Sequence, residues 1–299
     1  MQKSWDPSYN NQPDDKLYKE IFSRNGGLIS ETEQETLRRS SIAIAGVGGV
    51  GGLLAERLIR IGVGRIKITD PGTFEKSNFN RQFGSSMVTL DQNKAEVVFQ
   101  QLKDINPQAE IIYDKAGISD ESSANKFIHD CDLIIDEMDF GMFKQSIRLQ
   151  RAARQQDKYY FFSSAIGYGA LITIFDPHGL TLEEFDGLPA NTNLDNVPKL
   201  TVSLERVIPL VPAYIKVAMH TVLQDIYAGK RTVPTSSIGV GLTSILSANE
   251  AVNILLKKRD IPVAPRFIHT DLMDQRFTVG NLQAETQQNK SHSTDTYQI

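Results

Sequence analysis

The 299-residue chain has one cysteine, Cys131, and one tryptophan. A single thiol closes no internal disulfide and builds no cysteine-rich zinc site. Neither sign of charge dominates: 32 Lys and Arg stand against 36 Asp and Glu, a net charge of −4. That balance argues against general nucleic-acid binding through a basic surface, although it leaves room for a local basic pocket. No apolar run approaches the roughly 18–20 residues needed to span a bilayer. The polar stretch 1–16 carries no signal-peptide core. These absences predict a cytoplasmic enzyme that does not engage membranes. What remains, 40% apolar and 23% charged residues, is the ordinary composition of a globular protein with a core.

Residues 1–16 are expected to be a flexible N-terminus and residues 283–299, which are polar, a disordered tail. Between them, 17–39 reads as helix in pieces broken at Gly26-Gly27, with Ser30 and Glu33 forming a capping box. From Ser41 the pattern alternates. Ile42–Ala45 is a strand, Leu53–Ile61 a helix, Arg65–Asp70 a strand and Asn93–Ile105 a helix with Val98, Leu102 and Ile105 on one face. Glu110–Tyr113 is a strand, 120–129 a helix, Leu133–Asp136 a strand, Met142–Gln156 a helix and Tyr159–Ser163 a strand. Strands alternating with helices predict an α/β fold, a Rossmann-type doubly wound, mostly parallel sheet. Beyond Ser163 the chain is β-rich to Phe175. Asp176–Lys199, with Pro177, Gly179, Gly187, Pro189 and Pro198, reads as a long loop, mobile in part and of the kind that straps a substrate. Helices are expected at Ala213–Tyr227 and Ile238–Lys257. Arg266–Leu272 and Arg276–Val279 close the chain as a pair of strands, giving a β-rich C-terminal extension.

The first strand runs into Gly46-Val47-Gly48-Gly49-Val50-Gly51-Gly52. Gly46, Gly48 and Gly51 satisfy G-x-G-x-x-G in the context that gives it meaning, between a strand and a helix. The first glycine permits the tight turn, the second admits a phosphate to the backbone and the third lets helix and sheet pack closely. The helix N-terminus adds free N–H groups and the positive end of its dipole. Asp70, ending the second strand, is placed to accept from a ribose. This much predicts an adenine nucleotide and does not separate ATP from NAD.

The next residues do. Asn78, Asn80, Arg81 and Gln82 form a polar cluster just past the second strand. A dehydrogenase needs no guanidinium there, whereas a triphosphate gains from a planar, permanently charged donor. Lys94 adds a point charge. Asp139, beyond the fourth strand, is placed to hold Mg²⁺, which favours one or two carboxylates together with phosphate oxygens; a helix N-cap is the plain alternative. His129, His178, His220 and His269 are scattered and suggest no triad.

GVGGVG at 46–51, Asp70, Ser77-Asn78-Phe79-Asn80-Arg81-Gln82, Lys94 and the pair Asp136 and Asp139 together resemble the ThiF/MoeB/HesA group, relatives of ubiquitin-activating enzymes. Phe22-Ser23-Arg24 resembles that group's Y-x-R motif. The resemblance runs from about residue 20 to about 280 and is most specific over 40–140. It implies a homodimeric adenylation domain over 17–282, with a nucleotide-binding half (41–163), an acceptor-binding half (164–282) and a crossover loop (176–199). Gly46, Gly48, Gly49, Gly51 and Gln82 would line the nucleotide site and Asp70 would bind ribose. Asn78, Arg81 and Lys94 would bind phosphates, Asp139 would hold Mg²⁺, and Arg24 would reach the triphosphate from the second subunit. The chain lacks the two C-x-x-C pairs and the crossover-loop cysteine that some members carry, so neither zinc nor a thioester is expected. The implied reaction is adenylation by ATP of a carboxylate or similar oxygen on a peptide, a ubiquitin-like or carrier protein, or a tRNA-linked acceptor. An NAD-dependent oxidoreductase and a non-catalytic scaffold are the competing readings.

Overall fold

Ser41–Ala45, the most apolar stretch of the first half, becomes strand β1 and is buried along its whole length. The sheet grows from both its sides. The computed structural model describes residues 14–197, 200, 202, 206, 208–212, 214–215, 222 and 233–282. Eight strands are present among them: β1, β2 (Arg65–Thr69), β3 (Glu110–Asp114), β4 (Leu133–Asp136), β5 (Tyr159–Ile166), β6 (Gly169–Phe175), β7 (Arg266–Asp271) and β8 (Arg276–Asn281). Their spatial order is β3-β2-β1-β4-β5-β6-β7-β8. The first five run parallel and the last three are antiparallel. The α/β expectation and the β-rich extension both hold.

The parallel strands need crossovers, and the helices that supply them cover both faces. On one face α3 (Gly49–Ile61), α4 (Lys94–Ile105) and α8 (Ser237–Leu256) pack Leu54, Leu58, Val98, Leu102 and Ala251 over Ile42 and Ile44. On the other, α5 (Glu121–Ile128), α6 (Phe143–Gln155) and α7 (Leu182–Asp186) pack Phe127, Ile147 and Phe185 over Ala43, Ala45 and Ile134. Alternation along one five-residue strand thus feeds two cores. Before the sheet lie α1 (Asp15–Ile21), a 3-10 turn at Ser23–Asn25 and α2 (Glu31–Arg39). The capping box at Ser30 and Glu33 is formed.

Three expectations need amending. The chain is helical from Asp15, with Asp14 as its N-cap, so the last residues of the segment expected to be flexible are ordered in a helix. Asp176–Lys199 is not an uninterrupted loop: α7 forms within it, opened by a Thr181/Glu184 capping box and closed by Gly187 at φ +75°. Its polar run is also pinned. Leu194 is buried, Arg151 donates to the Thr192 carbonyl at 2.7 Å and Arg148 pairs with Asp195 at 2.6 Å. Finally, α8 is by length and composition apolar enough to cross a membrane. It packs instead on α3 and on β5 and β6, with Glu250 buried against Arg259. Residues 1–13 and 283–299, Pro198, Lys199 and, apart from Tyr214, Ile215 and Val222, the expected helix at Ala213–Tyr227 lie outside the described residues.

Candidate nucleotide and acceptor site

In an open parallel sheet, ligands bind past the strand C-termini where the strand order reverses. Here that point lies between β1 and β4, whose ends lead into Gly46 and Glu137. Gly46 sits at φ +88°, and a β-carbon on it would lie 2.3 Å from the Glu137 carbonyl oxygen. One on Gly51 would lie 2.0 Å from the Gly46 carbonyl. Both positions therefore demand glycine, as the sequence pattern implies. Gly48 caps α3 without a side-chain bond, and the first N–H groups of that helix have no intrahelical acceptor. Around Gly48 and Gly49 the space is shaped by the predicted partners. β-Carbons there would come to 3.5 Å from Gln82 Nε2 and 3.7 Å from Arg81 Cγ, with Val240 of α8 behind at 3.4 Å.

Asp70 is nearly buried and braces this loop. One carboxylate oxygen accepts from Val47 N at 3.0 Å and the other from Gly72 N at 2.8 Å. Lys94 reaches the same corner: a β-carbon on Gly72 would sit 3.0 Å from Asp70 Oδ1 and 3.5 Å from Lys94 Nζ. Asn78 is buried and organises the polar cluster. Its Oδ1 accepts from Glu75 N, and its carbonyl accepts from the backbone of Arg81 and Gln82. In this state it builds the turn that presents its neighbours. Asn80 ties the turn to the segment ahead of α8 through the Thr235 carbonyl.

The charges at this edge are unpaired. Most half-buried arginines elsewhere meet a carboxylate, as Arg38, Arg148 and Arg151 do. Arg81, half-buried, donates only to the Ser77 carbonyl and the Asn80 amide oxygen. Among the described residues neither Arg81 nor Lys94 has an ion pair. Gln82 Oε1 is buried with no partner. Half-buried cations without counter-ions, beside a helix N-terminus and an orphaned amide, suit a polyphosphate. The residues present thus fit ATP.

Asp139 is exposed, and its carboxylate has no bond to the described residues. It is not an N-cap: Met142 takes that place and is bonded to the Asp139 carbonyl, not to its side chain. A lone carboxylate fits Mg²⁺ when phosphate and water complete the shell. Among the described residues no group of three or more His, Cys, Asp or Glu is arranged to hold a metal. Asp136, the other acid of the pair, is interior. It accepts from Tyr160 Oη at 2.6 Å and from Met138 N, and burial raises its pKa.

Arg24 is not brought to this site within its own chain. It lies exposed on the 3-10 turn whose Asn25 donates to the Ile61 carbonyl, at the C-terminal end of α3. The glycine loop is at the other end of that 13-residue helix, about 20 Å away at 1.5 Å per residue.

Two features had no local signal. Glu137 lies beneath the glycine loop and accepts from Ser163 Oγ at 2.6 Å. Desolvation pushes its carboxyl well above the usual range, and Asp136 next to it adds to the shift. Beside Asp139, a partly open cavity of about 100 Å³ runs between β4, β5, α6 and α7. Asp186 lines it.

A ThiF family model matches residues 22–293, and the chain belongs to the ThiF family. The tRNA threonylcarbamoyladenosine dehydratase of Bacillus subtilis (strain 168) is 37% identical over 136 residues, 46% of this chain and 53% of that protein. The sulfur carrier protein ThiS adenylyltransferase of the same organism is 28% identical over 151 residues, 49% of this chain and 44% of that protein. The chain spans about half the length of these curated relatives. Among solved structures, PaaA superposes with a TM-score of 0.66 at 15% identity, covering 93% of this chain and 78% of that one. Escherichia coli MccB with ATP gives 0.62 at 17% identity, covering 84% and 66%. At such identity the likeness is one of fold.

Proposed function

We propose that the protein is an ATP-dependent adenylyltransferase that converts a carboxylate, or a similar oxygen, on its acceptor into an AMP derivative. The observation that carries this reading is the set of uncompensated charges, Arg81, Lys94 and Asp139, around a glycine loop with an orphaned Gln82 amide. The acceptor oxygen attacks the α-phosphorus, the bond to the β-phosphate breaks, and pyrophosphate leaves. An ionised carboxylate needs no general base. The protein's part is positioning and charge neutralisation. Arg81 and Lys94 hold phosphate oxygens and Asp70 holds both the ribose and the loop. Asp139 would hold Mg²⁺, which when bound polarises phosphate and offsets its charge. The relatives' names, a tRNA-modifying dehydratase and an adenylyltransferase of a sulfur carrier protein, support an acceptor that is peptide, carrier protein or RNA-linked. With Arg24 a helix length from its own site, a homodimer in which it serves the other copy's triphosphate is part of this proposal.

Nucleotide choice tests it. ATP with Mg²⁺ should raise the melting temperature, because a ligand that binds the native state alone stabilises it by mass action. NAD, which the glycine loop and Asp70 alone would permit, should leave it unchanged. Stabilisation by NAD and none by ATP would reverse the assignment.

A further inference from the structure

The cavity beside Asp139 has a floor that the adenylation chemistry leaves unused. Asp186, the last residue of α7, is only 7% exposed and lines it. Its carboxylate accepts no hydrogen bond from any described residue. The cation that acts on it, Arg206, donates through Nη1 to the Glu184 and Phe185 carbonyls at 3.2 and 2.5 Å and has no ion pair with it. Of the polar groups that line the cavity with it, Tyr160 Oη donates to Asp136 and Ser163 Oγ to Glu137. The walls are apolar or aromatic, with Met138, Phe162 and Leu182 inside and Phe140 and Phe143 at the mouth, these two rings 5.7 Å apart edge to face. Burial pushes Asp186 up to about 7, with Arg206 drawing it partly back. A buried carboxylate without a donor is costly. Such a group persists where a ligand completes it.

The chemistry of the cavity specifies that ligand. Acids stand at its floor and mouth, so an anion is repelled. A bare carboxylate wants donors with charge, and aromatic faces favour a cation. We propose that this cavity is a subsite for a protonated amine or guanidinium carried by the acceptor close to the oxygen that is adenylated. Asp186 pairs with the cation, while the aliphatic stem lies along Phe162 and Leu182. The acceptor as its source rests on the adenylation reading, because Asp139 joins this cavity to the nucleotide site. The cation's binding does not.

The probes are N-acetyl-arginine and N-acetyl-lysine, each with its neutral counterpart, N-acetyl-citrulline and N-acetyl-norleucine. Binding is measured by calorimetry on the full chain without nucleotide, so failure of ATP chemistry does not enter. The basic probes should bind at least about tenfold more tightly than the neutral ones, and Asp186→Asn should erase the difference. The same Asp186→Asn change has a second readout. An acid whose folded value is raised holds its proton more tightly in the native state, so it costs stability as the pH climbs from its unfolded value to about 7. The variant should therefore melt higher than the wild type at pH 8 and equally near pH 4. Equal binding of basic and neutral probes, no binding at millimolar concentration, or a variant that melts lower at pH 8 would each overturn the proposal. The last result would mean that Asp186 has a structural partner.

Discussion

Gly51→Ala is expected to abolish ATP binding. The new methyl group would stand 2.0 Å from the Gly46 carbonyl oxygen and 3.2 Å from Glu137 Cβ. Neither obstacle is the end of a flexible side chain. The first turn of α3 has to move off the sheet, and with it the N–H groups that face the phosphates. Overpacking alone costs about 1–3 kcal/mol, and the displaced loop also loses its brace from Asp70 to Val47 N. Gly241 supplies the control. It lies inside α8, and a methyl group added there would have nothing within 4 Å, so Gly241→Ala should be neutral or stabilise by roughly 0.5–1 kcal/mol. Titration of both variants with ATP and Mg²⁺ checks the pair. Wild-type affinity in Gly51→Ala would mean that the loop does not carry the nucleotide.

Lys94→Ala and Asp139→Ala should each slow adenylation by about tenfold to a thousandfold, the range seen when one preorganised electrostatic group is removed. Among the described residues Lys94 has no ion pair and the Asp139 carboxylate no bond. Truncation of either should leave the melting temperature nearly unchanged, which separates this loss from unfolding. Arg24→Ala should cost activity through the other subunit. Mixing it with Asp139→Ala should restore one complete site per heterodimer, and no recovery after confirmed subunit exchange would place Arg24 outside the reaction.

What could be read from the chain in advance was whatever depends on neighbours in sequence. The glycine spacing, the acid at the end of β2 and the Arg81 turn lie within 40 residues and announce themselves by local chemistry. The period of α4 and α6 likewise needed only its own residues. Short elements are legible as well. Thr181 and Glu184 repeat the capping pattern of Ser30 and Glu33, and Gly187, one of the breaks expected in the loop, is the left-handed C-cap of α7. The acidic cavity could not be read. Asp136, Tyr160 and Asp186 are 24 and 26 residues apart in the chain, and they meet only because β4 pairs with β5 and α7 folds back over α6. Nor does a sequence say whether an aspartate is paired. The difference between Asp136, bonded on both oxygens, and Asp186, bonded on neither by the described residues, arises from packing.

The most direct test of the central claim follows the label of ATP. The protein is incubated with Mg²⁺, ATP labelled at the α-phosphorus and separate panels of carboxylate-bearing peptides, carrier proteins and tRNA. The account predicts acceptor-dependent release of pyrophosphate with the label passing into AMP or an AMP-linked acceptor, and loss of both in Lys94→Ala. Release of ADP and inorganic phosphate, with the label staying in ADP, would contradict it, because attack would then have fallen on the γ-phosphorus.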